Sequence, residues 1–245
     1  MGSPMYNDLM KTAFVTGGNR GLGRGFVEQF LDKGFQVFAG VLDPEKVDSE
    51  LKSRANLFII KLDVSDDESI KSATAEVSKH TNHLDYLVNN AGLNKDTATN
   101  GRKELASDLK DLDREVLRKM FDVNSLGPIM VLKGFVGLMK EDPSFAINIS
   151  SCRASHHDEA ENDSGNYGYR GSKAALTMLT LCSLFDLPKN VRTFSVHPGN
   201  VHTDMNPCGE QEPYDQAGKI IGITENWKDE FNGRFLKYDG TFYPL

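Results

Sequence analysis

The stretch Lys11-Thr12-Ala13-Phe14-Val15-Thr16-Gly17-Gly18-Asn19-Arg20-Gly21-Leu22-Gly23 decides the fold of this chain. Residues 11–15 are predicted to form a short apolar strand, and the spacing of the apolar residues in 26–31 predicts a helix after the glycines. A strand, a glycine-rich turn and a helix form the unit that carries a dinucleotide pyrophosphate. The glycines let the backbone approach the phosphates, and the helix N-terminus supplies N–H groups. A plain tight turn is the alternative interpretation.

Strand and helix patterns alternate along the rest of the chain. Apolar strands are predicted at 36–42, 57–62, 84–88, 145–149 and 191–197, with a last strand and turn within 233–240. This alternation predicts an α/β Rossmann fold, a doubly wound parallel sheet of about seven strands in three α/β/α layers. Because no break in composition divides the chain, we expect residues 1–245 to form one domain, with residues 1–10 as a tag or flexible leader.

Composition and charge exclude several classes of partner. The chain has 245 residues and a formal net charge of −7, which does not favour nucleic acid or an anionic membrane. No apolar run is long enough to cross a bilayer, and the N-terminus lacks the pattern of a signal peptide. The three cysteines are far apart in sequence and fit neither a metal site nor a disulfide framework. We therefore expect a cytoplasmic protein with no metal.

Polar and small residues follow several predicted strands at the edge where an open α/β sheet binds its ligands. Asp63-Val64 closes the third strand, and Asp63 could accept a hydrogen bond from an adenine amine or cap the next helix. Asn89-Asn90-Ala91-Gly92 follows the fourth strand, where small and amide residues either pass close to a cofactor or form a structural turn. Pro198-Gly199 leaves the sixth strand.

Tyr169 and Lys173 lie four residues apart on a predicted helix, so their side chains share one face. The strand 145–149 ends in Ser150-Ser151, which would bring a hydroxyl to the same edge of the sheet. A solvated surface pair is the alternative for Tyr169 and Lys173. Asn124 lies within the apolar helical run 116–138, where a buried amide needs hydrogen-bond partners. Pro128 predicts a kink close to Asn124.

In this order and spacing, the motifs resemble those of the short-chain dehydrogenase/reductase family over essentially the whole chain. A closer similarity, to Sniffer-type (C-factor-like) carbonyl reductases, rests on 19–23, 168–173, 197–199, 203–205, 232–235 and 238–241. The resemblance implies an oxidoreductase that reduces a small-molecule ketone, aldehyde or quinone with a nicotinamide cofactor.

The resemblance also implies the roles of individual residues. Tyr169 would be the proton donor, with its pKa lowered by Lys173, and Ser151 rather than Ser150 would donate to the substrate oxygen. Asn124 would hold a water beside Lys173 and complete a proton relay. The residues implied to contact the cofactor are Thr16, Gly17, Asn19, Arg20, Gly21, Leu22, Gly23, Leu42, Asp63, Val64, Asn90, Ala91, Gly92, Tyr169, Lys173, Pro198, Gly199, Val201 and Thr203.

The sequence departs from the family pattern in two places. The polar segment 153–166, predicted to be a loop, makes the interval between Ser151 and Tyr169 a few residues longer than usual, and we expect it to choose the substrate. Leu42 stands where relatives often carry an Arg that meets a 2′-phosphate. Arg20 remains beside the glycine turn and suits a phosphate, so NADP(H) is predicted over NAD(H).

Two other functions are compatible with the same sequence. One is a cofactor-binding regulatory sensor, and the other is a specialised biosynthetic enzyme of this fold that acts as a cyclase or dehydratase. The intact set of Asn124, Ser151, Tyr169 and Lys173 argues against the sensor, because a binding protein does not require all four. The apolar helical segments 116–138 and 171–184 predict a homodimer or homotetramer.

Overall fold

A computed structural model of the protein describes residues 10–157 and 165–245. In this part of the chain, seven parallel strands form one sheet in the order β3-β2-β1-β4-β5-β6-β7. The strands are β1 Thr12–Thr16, β2 Gln36–Val41, β3 Leu57–Lys61, β4 Tyr86–Asn89, β5 Ser144–Ile149, β6 Val191–His197 and β7 Phe235–Lys237. The predicted parallel, doubly wound sheet is therefore confirmed.

Helices cover both faces of the sheet. They are α1 Gly21–Asp32, α2 Ser49–Lys52, α3 Asp67–Val77, α4 Lys95–Thr99, α5 Glu104–Ser107, α6 Arg114–Phe121, α7 Gly127–Phe135, α8 Tyr167–Ser183 and α9 Pro213–Glu225. One hydrophobic cluster packs Phe26 of α1 and Ile220 of α9 on the sheet. A second cluster packs Ile70 of α3 and Phe135 of α7 on the opposite face. This arrangement confirms the three α/β/α layers.

The strand order positions the site. The chain winds outward from β1 to β3 and then crosses back to β4 on the other side of β1. Because all the strands are parallel, the loops after β1, β4, β5 and β6 leave the same edge of the sheet. The crevice at such a switch point is where open α/β sheets bind ligands.

Close to Pro128, where a kink is predicted, a π-helical turn, Asp122–Leu126, lies between α6 and α7. In this turn the N–H of Gly127 donates to the carbonyl of Asp122, five residues earlier. Pro128 has no N–H to donate to the carbonyl of Asn124, which removes one regular helical bond at this point. Single π-turns inside helices occur frequently at functional sites, and this one contains Asn124.

The described residues include only part of the predicted loop 153–166 and of the predicted leader 1–10. Residues 152–154 of the predicted loop form a short 3₁₀ turn, Cys152–Ala154, and part of that loop, 158–164, lies outside the described residues. Most of the predicted leader, residues 1–9, lies outside them as well. In the described ranges, no helix combines the length and apolar character needed to cross a membrane.

Candidate active site

The glycine-rich turn brings two backbone segments into direct contact. Gly17 has a positive φ of 66°, a conformation that favours glycine. At Gly23, a Cβ atom would stand only 2.1 Å from the carbonyl oxygen of Gly17. Neither position accommodates a side chain, because a Cβ on either glycine would lie too close to neighbouring atoms, which include Asn90 in both cases.

The N-terminus of α1 fits an anionic ligand. Arg20 occupies the N-cap position without a side-chain hydrogen bond to the helix, and the first turn contains no acidic residue. The first N–H groups of a helix have no partner within it and carry the positive end of the helix dipole. Residues Gly17 to Gly23 therefore suit the pyrophosphate of a dinucleotide, which would supply the missing acceptors.

Thr16 and Asn90 tie the glycine turn to the loop after β4. The Thr16 hydroxyl accepts hydrogen bonds from the backbone N–H groups of Asn90 and Ala91, both at 2.9 Å. In return, the Asn90 amide donates to the carbonyls of Thr16 and Gly17 at 3.0 and 3.3 Å. Both side chains are thus part of the wall of the crevice, as expected if this loop runs along a bound cofactor.

Tyr169 and Ser151 meet at the carboxyl edge of the sheet. Tyr169 lies in the first turn of α8, and its phenol forms a hydrogen bond with the Ser151 side chain that favours the phenolate. Ser150 instead turns into the protein, where its hydroxyl donates to the carbonyl of Lys173 at 3.3 Å and lies 3.1 Å from the Thr177 hydroxyl. The alternation along β5 therefore presents Ser151, and not Ser150, to Tyr169.

Lys173 is buried beside these groups, with only 4% of its surface exposed. Its Nζ atom donates to the carbonyl of Ile149 at the end of β5, at 2.7 Å. Burial lowers the pKa of the Lys173 ammonium to about 8, because a charged group loses hydration in the protein interior. A Cβ on Gly92 would stand 3.6 Å from Nζ, so Gly92 leaves the space in which the ammonium lies.

The predicted effect of Lys173 on Tyr169 is wrong for this structure. Burial raises the pKa of the Tyr169 phenol, and the hydrogen bond from Ser151 and the charge of Arg153 oppose that increase. Lys173 is not among the groups that shift the pKa of Tyr169, and its ammonium donates to the carbonyl of Ile149. Tyr169 therefore holds its proton firmly at neutral pH.

Asn124 is completely buried and braces three segments. Its Oδ1 accepts from the N–H of Leu93 at 2.7 Å, and its Nδ2 donates to the carbonyl of Leu93 at 2.8 Å and to the Ser172 hydroxyl at 3.0 Å. The π-turn, the loop after β4 and α8 are thereby held together. These bonds use both amide hydrogens and one lone pair, so the water-holding role of Asn124 stays a prediction.

The turn after β6 is held by glutamines that the sequence analysis missed. Gln216 of α9 is fully buried, and its Nε2 donates to the carbonyl of Pro198 at 2.6 Å and to Oε1 of Gln211 at 3.0 Å. A Cβ on Gly199 would stand 2.2 Å from that Gln211 oxygen. Nothing in the local sequence indicates this clamp, since its members come from separate segments. It fixes the predicted Pro198-Gly199 motif at the edge of the crevice.

Arg20 has a partner that the sequence did not predict. Its guanidinium forms a salt bridge of 2.9 Å with Asp204, which follows β6, and both side chains are largely exposed. The methyl group of Thr203 lies 3.1 Å from where a Cβ on Gly21 would be, so the same segment packs on the glycine turn. Arg20 therefore lies at the rim of the crevice, where Asp204 competes for any bound phosphate.

The remaining predicted cofactor contacts occupy varied positions. Leu42 is 68% exposed at the end of β2, and Asp63 accepts from the N–H and hydroxyl of Ser65 rather than capping α3, whose cap is Asp66. Leu22 and Val201 direct their side chains into the hydrophobic core, so only their backbones can reach a ligand. Asn19 lies in the glycine turn before α1. Val64 is buried in the loop that follows β3.

A comparison with protein families identifies the chain. The model of the short chain dehydrogenase family matches residues 11–212, which include every strand except β7. The chain belongs to the short-chain dehydrogenase family. Its members are oxidoreductases that use a nicotinamide cofactor, so this chain is an enzyme of that class.

Individual members of the short-chain dehydrogenase family are similar over nearly the whole chain. An uncharacterized oxidoreductase of Schizosaccharomyces pombe is 33% identical over 258 residues, which cover 96% of this chain and 98% of that protein. The structure of NADPH-bound carbonyl reductase from chicken fatty liver superimposes with a TM-score of 0.85 at 29% identity, covering 96% and 99% of the two chains.

The resemblance to Sniffer-type enzymes is confirmed at the level of structure. The carbonyl reductase Sniffer of Drosophila melanogaster superimposes with a TM-score of 0.83 at 26% identity. The match covers 96% of this chain and all of that one. This short-chain dehydrogenase therefore shares its architecture with carbonyl reductases from a bird and an insect.

Proposed function

We propose that this short-chain dehydrogenase reduces the carbonyl group of a small ketone, aldehyde or quinone to an alcohol. The observation that supports the proposal is the hydrogen-bonded pair of Ser151 and Tyr169 next to the buried Lys173. These groups provide a proton donor, a second hydrogen-bond donor and a cation at one edge of the sheet. The carbonyl reductases with similar structures support the same reaction class.

Each residue of the site has a separate role in the proposed reduction. A bound reduced nicotinamide would supply a hydride to the carbonyl carbon. Tyr169 donates its proton to the carbonyl oxygen, and its raised pKa keeps that proton in place until negative charge develops on the oxygen. Ser151 donates a hydrogen bond to the same oxygen and stabilises that charge. Lys173 binds the carbonyl of Ile149 at the end of β5, and Asn124 joins the loop after β4 to α8, so both residues hold in place the segments that carry Ser151 and Tyr169.

We further propose NADP(H) as the preferred cofactor over NAD(H). Arg20 lies at the N-terminus of α1, and a guanidinium pairs well with a phosphate. The NADPH bound by the chicken carbonyl reductase is consistent with this choice. Asp204 and the exposed Leu42 oppose it, because one competes for Arg20 and the other offers no charge. The preference therefore depends on Arg20 leaving Asp204 for the 2′-phosphate.

The decisive experiment is a panel of carbonyl compounds followed by NADPH and NADH absorbance. We expect Tyr169→Phe to lower turnover at least about 100-fold, the range of a lost general acid, while cofactor affinity measured by fluorescence titration stays unchanged. Tyr167→Phe is the matched control, because Tyr167 lies two residues before Tyr169 on the same helix and its side chain is exposed. It should retain full activity.

Other outcomes would contradict the proposal. Cofactor binding without reduction of any carbonyl would favour a regulatory sensor, and product formation without net oxidation of NADPH would favour a cyclase or dehydratase. Tighter binding of NADH than of NADPH, or unchanged NADPH affinity in Arg20→Ala, would contradict the cofactor preference alone.

We also propose that the enzyme forms a homodimer or a larger homo-oligomer through the outer face of α8. Met178 of α8 is 53% exposed, and Phe185, two residues beyond the end of α8, is 83% exposed. Phe121 and Leu126, at the two ends of the π-turn region, are exposed large hydrophobic residues on the helices next to α8. Apolar side chains gathered on neighbouring helices are typical of an interface between subunits.

A further inference from the structure

Gln216 is a fully buried amide on α9, a helix that carries none of the proposed site residues. Its Nε2 atom donates to the Pro198 carbonyl at 2.6 Å and to Oε1 of Gln211 at 3.0 Å, while its Oε1 atom accepts from the Lys219 ammonium at 2.7 Å. An amide turned end for end would direct its NH₂ group at the ammonium and its oxygen at two acceptors. Lys219 and Gln211 therefore fix the orientation in which Gln216 donates to Pro198.

The two glutamines of this clamp lie directly against the turn that leaves β6. Gly199 in this turn has a positive φ of 91°, a conformation that favours glycine. A Cβ on Gly199 would stand 2.2 Å from Oε1 of Gln211 and 2.7 Å from Nε2 of Gln216. The ring of Tyr238, from the segment after β7, would lie 3.0 Å away. The turn is therefore enclosed on the side of α9, and its backbone has no room to move in that direction.

The segment 200–206 runs from this turn to the glycine turn. The Asn200 carbonyl accepts from the N–H of Gln211 at 3.1 Å, which ties the start of the segment to the clamp. Further along, the methyl group of Thr203 lies 3.1 Å from where a Cβ on Gly21 would be. The position of Thr203 over the first residue of α1 thus depends on how the turn after β6 is held.

The strand order relates the clamp to one half of the cofactor. Ile149 of β5 pairs with Val196 of β6, and the N–H of Ser150 donates to the Val196 carbonyl at 2.8 Å. β6 therefore ends beside Ser151, whereas the glycine turn follows β1, three strands away. A dinucleotide with its pyrophosphate at the glycine turn and its reactive ring at Ser151 and Tyr169 has the nicotinamide, and not the adenine, next to the turn after β6.

Resting on the proposed function, we infer that Gln216 is a positioning residue for the nicotinamide half of the cofactor. Because Gln216 has no exposed surface, it acts through the turn at Pro198 and through Thr203. A turn that is already ordered loses less conformational entropy when the cofactor binds. Hydride transfer also requires the reacting atoms to be aligned, and a displacement of about 1 Å can lower a rate about 100-fold.

The test compares binding of the whole cofactor with binding of its adenine half. In Gln216→Met, methionine fills similar space without an amide. By calorimetry, we expect NADPH to bind at least about tenfold more weakly, the range of a lost buried hydrogen bond. Binding of 2′,5′-ADP, which lacks the nicotinamide, should change less than about twofold. At saturating NADPH, kcat should fall at least about tenfold while KM for the carbonyl compound changes less than about twofold.

Gln29→Met is the matched control. Gln29 also donates from Nε2 to a backbone carbonyl of α9, that of Tyr214 at 3.1 Å, but this bond lies outside the clamp. The variant should keep both affinities and kcat unchanged. Lys219→Met is the second test variant, because the Lys219 side chain is exposed and its loss removes the bond that orients Gln216. It should weaken NADPH binding about threefold, leave 2′,5′-ADP binding unchanged and melt at the same temperature as the original protein.

Equal losses of affinity for NADPH and 2′,5′-ADP would mean that the clamp only supports the fold, and would overturn the inference. Unchanged NADPH affinity in Gln216→Met would also overturn it, and if that variant does not fold, unchanged affinity in Lys219→Met decides the same question. NADH and ADP form a second pair, so a preference for NAD(H) does not affect the comparison. Because binding is measured without a carbonyl compound, a protein that reduces none of them would contradict the proposed function and leave this inference standing.

Discussion

At the scale of single residues, the buried Lys173 makes stability depend on pH. Its pKa is about 8 in the folded protein, below the ordinary lysine value of 10.5. Between these pH values the unfolded chain binds more protons than the folded one, so the free energy of unfolding increases as the pH rises. The unfavourable contribution of burying the ammonium is fully present below about pH 8, decreases as the pH rises, and is gone only above the ordinary lysine pKa of 10.5.

Lys173→Met tests this prediction, because methionine fills similar space without a titratable group. Between pH 7 and pH 9.5, we expect the unfolding free energy of the original protein to rise by about 2 kcal/mol relative to the variant. Urea unfolding followed by the fluorescence of the single tryptophan, Trp227, measures both proteins. Parallel pH profiles for the two proteins would show that the ammonium is solvated and that its pKa is normal.

At the scale of elements, two glycines that undergo the same substitution should give opposite results. A Cβ at Gly23 would meet the Gly17 carbonyl oxygen at 2.1 Å, whereas Gly222 in α9 has no atom within 4 Å of that position. We expect Gly23→Ala to lower the unfolding free energy by at least about 2 kcal/mol and to abolish cofactor binding, because the turn must open. Gly222→Ala should stabilise the protein by about 0.5–1 kcal/mol, since alanine favours a helix over glycine.

Chemical denaturation and NADPH titration of both variants check this pair. Normal cofactor affinity in Gly23→Ala would mean that the turn does not approach the cofactor as closely as its geometry requires. Destabilisation by Gly222→Ala would mean that the outer side of α9 is covered, for example by another subunit.

At the scale of the whole molecule, the exposed apolar face of α8 predicts self-association. The double variant Met178→Asp/Phe185→Asp should shift the protein to monomers in light scattering coupled to size exclusion, because two buried carboxylates cost more than an interface gains. Leu42→Asp, which adds a charge at an equally exposed leucine beyond the end of β2, is the control and should keep the oligomer. A monomeric original protein at micromolar concentration would contradict the proposed assembly.

Local patterns in the sequence were sufficient to predict the sheet and the positions of the main site residues. Strands, glycine turn and helices follow from short-range periodicity, which each segment carries independently of its neighbours. The spacing of Tyr169 and Lys173 placed both on one face of α8, while the choice of Ser151 over Ser150 came from the resemblance to the family. A parallel sheet then brings these loops to one edge, whichever residues fill the core.

The chemical environment of those residues was decided only by the tertiary structure. The direction of the Lys173 ammonium and the raised pKa of Tyr169 depend on what surrounds them after packing, and the sequence analysis predicted the second incorrectly. The partner of Arg20, Asp204, is 184 residues away in sequence. Periodicity reports whether a position is buried, but it carries no information about which distant polar group will lie opposite; the fold determines that.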